Sequence, residues 1–269
     1  MAVPDVALST ASPASLGSVN FENDSLVGYD PATDVAVELF NLDDSFGIER
    51  NLDAAYELPN GNLVVSTQAG DTIGSLAFTE SDLIELDRTN GTVAMFLDAS
   101  AIGLVGNNNT VANIDAVHVL ASGEVLFSVG SLSGATLLGT SYDNADVVAY
   151  DPATNTASLF LDGSVIVGDD PDLHAFAVID AQHVLLAAFN SGGTDAMTLG
   201  GLTFSRDDLV LYNPMNDTAT LFLEGLNEFS APGEIIDAVT PAVVPEPGTL
   251  VWALALPALL VRRCCLTRR

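Results

Sequence analysis

The feature that most constrains the fold is an internal repeat. Four segments share one pattern: a short β-rich run, a turn that opens with Asp or Asn, and a second β-rich run. They are residues 25–34, 82–91, 146–155 and 208–217. Asp and Asn side chains accept backbone hydrogen bonds at such turns, and proline, present in three of the four, fixes φ at the next position. The repeat therefore predicts four antiparallel β-hairpins.

A second motif recurs between the hairpins. Its four copies are Leu52-Asp53-Ala54, Ile114-Asp115-Ala116, Ile179-Asp180-Ala181 and Ile236-Asp237-Ala238. The aspartates are spaced by 62 (115 − 53), 65 (180 − 115) and 57 (237 − 180) residues. Short β-rich segments follow each copy. One unit is thus predicted to contain four short antiparallel strands, a to d, with a long connection between b and c.

Such a unit resembles a propeller blade, because packing the sheets around one axis buries the apolar face that a lone sheet leaves in water. We expect an all-β, propeller-like ring of about four four-stranded blades in residues 1–240. The chain begins at a strand b and the repeats end with a strand a, so residues 234–240 are expected beside residues 4–10. The alternative is an open or truncated repeat array.

The charge of the chain is strongly negative. It contains no lysine, 7 arginines and 36 acidic residues, for a formal net charge of −29. Nucleic-acid affinity depends on cationic side chains that displace counterions, so a nucleic-acid partner is excluded. The acidity indicates either cation binding or simply a self-repelling, soluble surface. The two cysteines, Cys264 and Cys265, leave residues 1–240 without a disulfide or a cysteine ligand.

The repeated aspartates are the candidate metal ligands. A propeller would bring Asp53, Asp115, Asp180 and Asp237 toward its axis, where like charges cost free energy unless a cation or hydrogen-bond donors offset them. The first interpretation is an axial calcium ion or a similar hard cation. The second is that each aspartate accepts backbone N–H bonds from its own loop.

No catalytic motif stands out. The sequence lacks a Gly-x-Ser-x-Gly elbow, a His-Glu-x-x-His pair, a phosphate loop and a dinucleotide fingerprint. His118 and His183 fall at one repeat position, where the other units have Tyr56 and Thr240, so a structural role is favoured for them. We therefore expect a non-enzymatic interaction platform. The alternatives are a calcium-organised polysaccharide-binding module and a propeller hydrolase or lyase.

The C-terminal segment has a different composition. Pro245-Glu246-Pro247 in the linker 241–248 is followed by an apolar run from Leu250 to Val261 and then by Arg262-Arg263. Proline disfavours helix at the preceding residue, so the linker should be extended. The apolar run, within residues 249–269, predicts a hydrophobic helix, and the arginines after it favour a cytoplasmic end.

This order of motif, apolar helix and basic end resembles the PEP-CTERM sorting signal of bacterial surface proteins. The resemblance implies a membrane-anchored precursor, recognition by an exosortase, and release to the cell surface or an exopolysaccharide matrix. A plain C-terminal membrane anchor is the alternative. Export also requires a signal peptide, which the first residues do not show, so we expect the natural start to lie upstream.

Overall fold

The structure, a computed structural model, describes residues 6–106, 112–130, 134–192 and 195–241. The predicted linker, the hydrophobic helix and the sorting residues Pro245, Glu246, Pro247, Arg262 and Arg263 lie outside these residues. Within the described part of the chain, no helix has the length and apolar character needed to cross a membrane. The described architecture is all-β, as the sequence predicts.

The strands occur in four successive groups along the chain. The first group is β1 (Val6–Thr10), β2 (Ala14–Leu16), β3 (Val19–Phe21), β4 (Ser25–Asp30) and β5 (Val35–Asn41). The second is β6 (Leu52–Glu57), β7 (Leu63–Thr67), β8 (Asp71–Ile73), β9 (Leu76–Phe78), β10 (Leu83–Asp87), β11 (Thr92–Leu97) and β12 (Val105–Gly106). The third is β13 (Asn113–Val119), β14 (Val125–Gly130), β15 (Ala135–Leu137), β16 (Thr140–Tyr142), β17 (Val147–Asp151) and β18 (Thr156–Leu161). The fourth is β19 (Pro171–Val178), β20 (Val184–Asn190), β21 (Met197–Leu199), β22 (Leu202–Phe204), β23 (Leu209–Asn213), β24 (Thr218–Leu223) and β25 (Ile236–Pro241).

Four of the sheets have four antiparallel strands each. Their spatial orders are β25-β1-β4-β5, β6-β7-β10-β11, β13-β14-β17-β18 and β19-β20-β23-β24, and we number these units 1 to 4. The predicted pairing of the two chain ends is present, since β1 lies antiparallel to β25 with Val6 opposite Pro241 and Leu8 opposite Val239. Each unit thus follows the predicted order a-b-c-d.

The innermost strands of the four units pack against one another in a cycle. Strand β6 contacts β13, β13 contacts β19, β19 contacts β25, and β25 contacts β6. Every b–c connection adds a small sheet: β2-β3, β8-β9, β12-β15-β16 and β21-β22. The architecture is therefore propeller-like and differs from a regular closed propeller of four plain blades.

The apolar core lies between neighbouring units. Leu26 of unit 1 packs with Leu63 of unit 2, and Val64 of unit 2 belongs to one cluster with Phe127 of unit 3. Phe176 packs with Leu126 between units 3 and 4. Burial of a large apolar side chain contributes about 1.5–3 kcal/mol. Each sheet is consequently stabilised by its two neighbours.

The c–d turns have the predicted chemistry. Side-chain oxygens of Asp30, Asp87, Asp151 and Asn213 each accept a backbone N–H two residues later, at 2.8–3.0 Å. Short helical segments follow the d strands: α1 (Leu42–Phe46), α2 (Ala99–Ile102), a 3-10 turn (Gly163–Val165) and α3 (Gly225–Glu228).

Candidate functional site

Every innermost strand contains one β-bulge at its start. The register shifts between Leu52 and Ala54 in β6, between Ile114 and Ala116 in β13, between Leu173 and Ala175 in β19, and opposite Ser9 and Thr10 in β25. A bulge leaves one residue out of the ladder and redirects its side chain. The four bulged residues are Asp53, Asp115, His174 and Asp237.

The predicted position of Asp180, at the start of an innermost strand, is wrong. Asp180 lies in the turn after β19, not in the strand. It is partly exposed and contacts Nδ1 of His183 at 2.9 Å and the N–H of Gln182 at 2.8 Å. His174 occupies the equivalent place in unit 4. The corrected spacings are 62 (115 − 53), 59 (174 − 115) and 63 (237 − 174), which are more even than those derived from the repeated triplet.

Two asparagines connect the bulged aspartates. Asn51 Nδ2 donates to Asp237 Oδ2 at 2.7 Å and to Asp53 Oδ1 at 3.2 Å. Asn113 Nδ2 donates to Asp53 Oδ2 at 2.7 Å and to Asp115 Oδ1 at 2.6 Å. Each asparagine lies two residues before a bulge and bridges two units. The sequence also allowed a second interpretation, in which each aspartate accepts backbone N–H groups of its own loop. Asp53 instead accepts hydrogen bonds from the side-chain amides of Asn51 and Asn113.

Units 1 and 4 lack this asparagine, and unit 1 has Ile235 at that position. At the same position, two residues before His174, unit 4 has Asp172. His174 Nδ1 lies 3.2 Å from Asp237 Oδ1, whereas Nε2 lies 3.7 Å from Asp172 Oδ2, beyond hydrogen-bond distance. One donor atom from each of Asp115, Asp172 and His174 lies within 4.8 Å of the others. We call Asp53, Asp115, Asp172, His174 and Asp237 the axial cluster.

Burial controls the protonation of the axial carboxyl groups. Burial raises the pKa of Asp53 to about 7, with the charge of Asp237 adding to the effect. Burial also raises the pKa of Asp172 to about 6, against the opposing influence of His174. The pKa of Asp115 is raised well above its ordinary value, again mainly by burial. Removal from water thus makes these carboxylates costly to ionise.

His174 responds in the opposite sense to its neighbours. Burial alone would lower its pKa, but the hydrogen bond to Asp237 and the charges of Asp115 and Asp172 outweigh that effect and raise the pKa to about 10.

No arginine among the described residues is ion-paired with the axial cluster. The three that the structure describes pair elsewhere: Arg50 with Asp71, Arg88 with Glu57 and Arg206 with Asp195.

A cavity of about 330 Å³ opens onto the axial cluster and is lined by all five of its members. Asp172 and Asn113 line this cavity, and their Oδ1 atoms are buried and accept no hydrogen bond from any residue that the structure describes. Gly130 makes room for Asp115, because a Cβ at that position would lie 1.8 Å from Asp115 Oδ2. Two residues that line the cavity, Asp172 and Asn113, therefore each have an oxygen with unused hydrogen-bonding capacity.

The other two histidines lie outside the cluster. His118 is buried in β13, and its Nδ1 accepts the N–H of Val178 at 3.3 Å. His183 lies in the turn before β20, so the predicted equivalence of His118 and His183 is wrong. The register of β19 places Ala177 at that position.

No known family model matches this chain, and no curated protein is similar to it in sequence. Among solved structures, it is similar to a protein of unknown function from Bacteroides caccae (12% identity, TM-score 0.42), with 88% of this chain and 85% of that one covered. It is similar to the hemopexin fold protein CP4 from cow pea (12% identity, TM-score 0.40), with 87% and 90% covered.

A third similar structure is YCF48 bound to D1 peptide (9% identity, TM-score 0.35). The match covers 75% of this chain and 48% of that one, so the chain spans about half the length of that protein. All three TM-scores lie below 0.5, and likeness at this level assigns no ligand or activity to the chain.

Proposed function

We propose that this protein is a non-enzymatic interaction platform of the bacterial cell surface or extracellular matrix, and that a divalent cation at the axial cluster organises its four sheets. The observation that carries the cation role is the convergence of four buried or half-buried carboxylates, Asp53, Asp115, Asp172 and Asp237. Among the described residues, His174 is their one cationic partner. A cation there would offset the cost of bringing like charges together.

The surface of the protein fits such a role. A formal charge of −29 keeps the protein soluble and disfavours anionic partners, except where a divalent cation bridges them. An acidic polysaccharide recognised through bound cations is the partner class that this charge supports. The sequence analysis gave a calcium-organised polysaccharide-binding module as an alternative, and the present proposal incorporates it.

The route to the surface is a separate part of the proposal. It rests on the order of Pro245-Glu246-Pro247, the apolar run and Arg262-Arg263, which resembles a sorting signal read by an exosortase. A membrane-anchored precursor would then precede release.

The cation role is tested by thermal unfolding of the full chain with chelator and with calcium or zinc. A cation that binds only the folded protein should stabilise it by about 2.7 kcal/mol at a hundredfold excess over Kd. Asp115→Asn should remove most of that gain. Asp180→Asn is the matched control, since it changes a partly exposed aspartate of the same repeated triplet and should leave the gain intact.

The proposal fails if neither cation changes the midpoint of unfolding. It also fails if the full gain survives Asp115→Asn, because the cation would then bind away from the innermost strands.

A further inference from the structure

We propose that Asp115, Asp172 and His174 bind one transition-metal cation of the zinc class, and that Asp237 orients the imidazole as a positioning residue. This inference rests on the proposed cation role and gives it a specific ligand set. It replaces the all-oxygen ring expected from the sequence with a mixed nitrogen and oxygen site between units 3 and 4.

The first step is the orientation of His174. Its Nδ1 lies 3.2 Å from Asp237 Oδ1, so a neutral imidazole would donate its N–H to this carboxylate. The lone pair would then be on Nε2, which faces Asp172 at 3.7 Å. A metal-binding histidine in proteins commonly donates its other N–H to a carboxylate in this way. The geometry therefore directs Nε2 toward Asp172.

The second step is the unused capacity around Nε2. The 3.7 Å separation from Asp172 Oδ2 is too long for a hydrogen bond, yet it suits two ligands of one metal ion bound at about 2.0–2.2 Å each. Asp172 Oδ1 is buried and accepts no hydrogen bond from the described part of the chain. Two ligands of one tetrahedral zinc ion lie about 3.3–3.6 Å apart, so donors at up to 4.8 Å would need to approach each other by roughly 1.2–1.5 Å.

The third step is the backbone beside Asp115. Gly130 approaches the Asp115 carboxylate so closely that a Cβ would overlap it, with 1.8 Å to Oδ2. The corresponding residues in units 1 and 2, Ala11 and Gln68, have side chains. Unit 3 alone thus combines a bulged aspartate with a glycine, and both residues line the cavity that also contains His174 and Asp172.

The donor set decides the class of metal. Calcium takes six to eight oxygen ligands and does not favour imidazole, whereas zinc and similar ions accept one histidine with carboxylates. Three protein ligands leave a fourth position of a tetrahedral zinc site for a water molecule. The cavity of about 330 Å³ provides space for it.

The test is equilibrium binding of Zn²⁺, Co²⁺ and Ca²⁺, each alone, to the chelator-treated full chain. We expect one Zn²⁺ per chain and at least tenfold weaker binding of Ca²⁺. His174→Gln should weaken Zn²⁺ binding at least tenfold, and Asp237→Asn roughly 10–100-fold. His183→Gln is the matched control, because it changes the other histidine that contacts an aspartate, and it should bind Zn²⁺ like the wild type.

Cobalt distinguishes ligand loss from misfolding. Bound Co²⁺ should give the visible absorption typical of a four-coordinate site. Asp172→Asn should alter that absorption spectrum, whereas its circular dichroism spectrum should remain that of the native protein. Circular dichroism shows whether His174→Gln is folded. If it is not, the cobalt spectrum of Asp172→Asn alone tests the site.

Two outcomes separate this inference from the cation role itself. Calcium binding that equals zinc binding, depends on Asp115 and survives His174→Gln overturns the zinc site but keeps a cation at the axis. If none of the three ions binds, both the zinc site and the proposed cation role are overturned. His174 is then a protonated partner of the four axial carboxylates.

Discussion

At the scale of single residues, His118 and His174 lie on neighbouring innermost strands in opposite electrostatic surroundings. His174 faces carboxylates, whereas His118 is buried, 4.7 Å from the ring of Tyr56 in an edge contact, with Nδ1 accepting the Val178 N–H. Burial lowers the pKa of His118 to about 4. Protonation would both charge a buried ring and remove this hydrogen bond, so the fold requires the neutral form.

This difference predicts a pH-dependent contribution to stability. The pKa of His118 is near 6.5 in the unfolded chain and about 4 in the folded protein. The contribution of neutral His118 to folding stability is therefore complete above pH 6.5 and is lost as the pH falls toward 4. Between pH 7 and pH 5 the free energy of unfolding should fall by about 2 kcal/mol more in the wild type than in His118→Asn.

Urea unfolding at the two pH values measures that difference. Asparagine is a suitable replacement because its Oδ1 can accept the Val178 N–H without titrating. Equal pH dependence in the two proteins would show that His118 does not require the neutral form.

At the scale of structural elements, the sequence predicts the hairpins well because their turns are governed by local chemistry. Asp30 and Asp151 bond their own backbone two residues on, and that pattern is visible in the sequence. The pairing of β1 with β25 was also predictable, since the repeats begin with strand b and end with strand a.

The bulged residue of unit 4, His174, was not predictable from the repeated triplet. Ile179-Asp180-Ala181 has the same sequence as two of the other triplets but lies beyond the end of β19. The alignment of bulges places Leu173-His174-Ala175 there instead. The one signal in the sequence was spacing, because His174 gives more even intervals than Asp180. A β-bulge depends on the partner strand, which a single repeat does not reveal.

The small sheets between strands b and c were expected only as long loops. Their strands are three residues long or shorter, as in β8 and β9, and each pairs within its own connection or with the end of the preceding unit. Runs this short carry too little alternation of apolar and polar residues to be recognised. These sheets make the body propeller-like without the regularity of plain blades.

At the scale of the whole molecule, the sorting proposal predicts that the chain is cleaved near Pro245-Glu246-Pro247 and loses its C-terminal segment. Alanine at Pro245, Glu246 and Pro247 together should leave an uncleaved, membrane-held form in a host that has the matching exosortase. Pro257→Ala, which changes a proline of the apolar run outside the motif, is the control and should be processed. The mass of the mature protein measures cleavage, and a wild-type protein that retains Trp252 would instead be a plainly anchored one.

The central claim is that a metal ion lies where the innermost strands of units 3 and 4 meet, and anomalous X-ray diffraction from zinc-loaded crystals of the full chain tests it most directly. The account predicts one strong peak about 2.0–2.2 Å from His174 Nε2 and from one carboxylate oxygen each of Asp115 and Asp172. A peak only at the partly exposed pair Asp180 and His183, or no peak near His174 at full zinc loading, would contradict it.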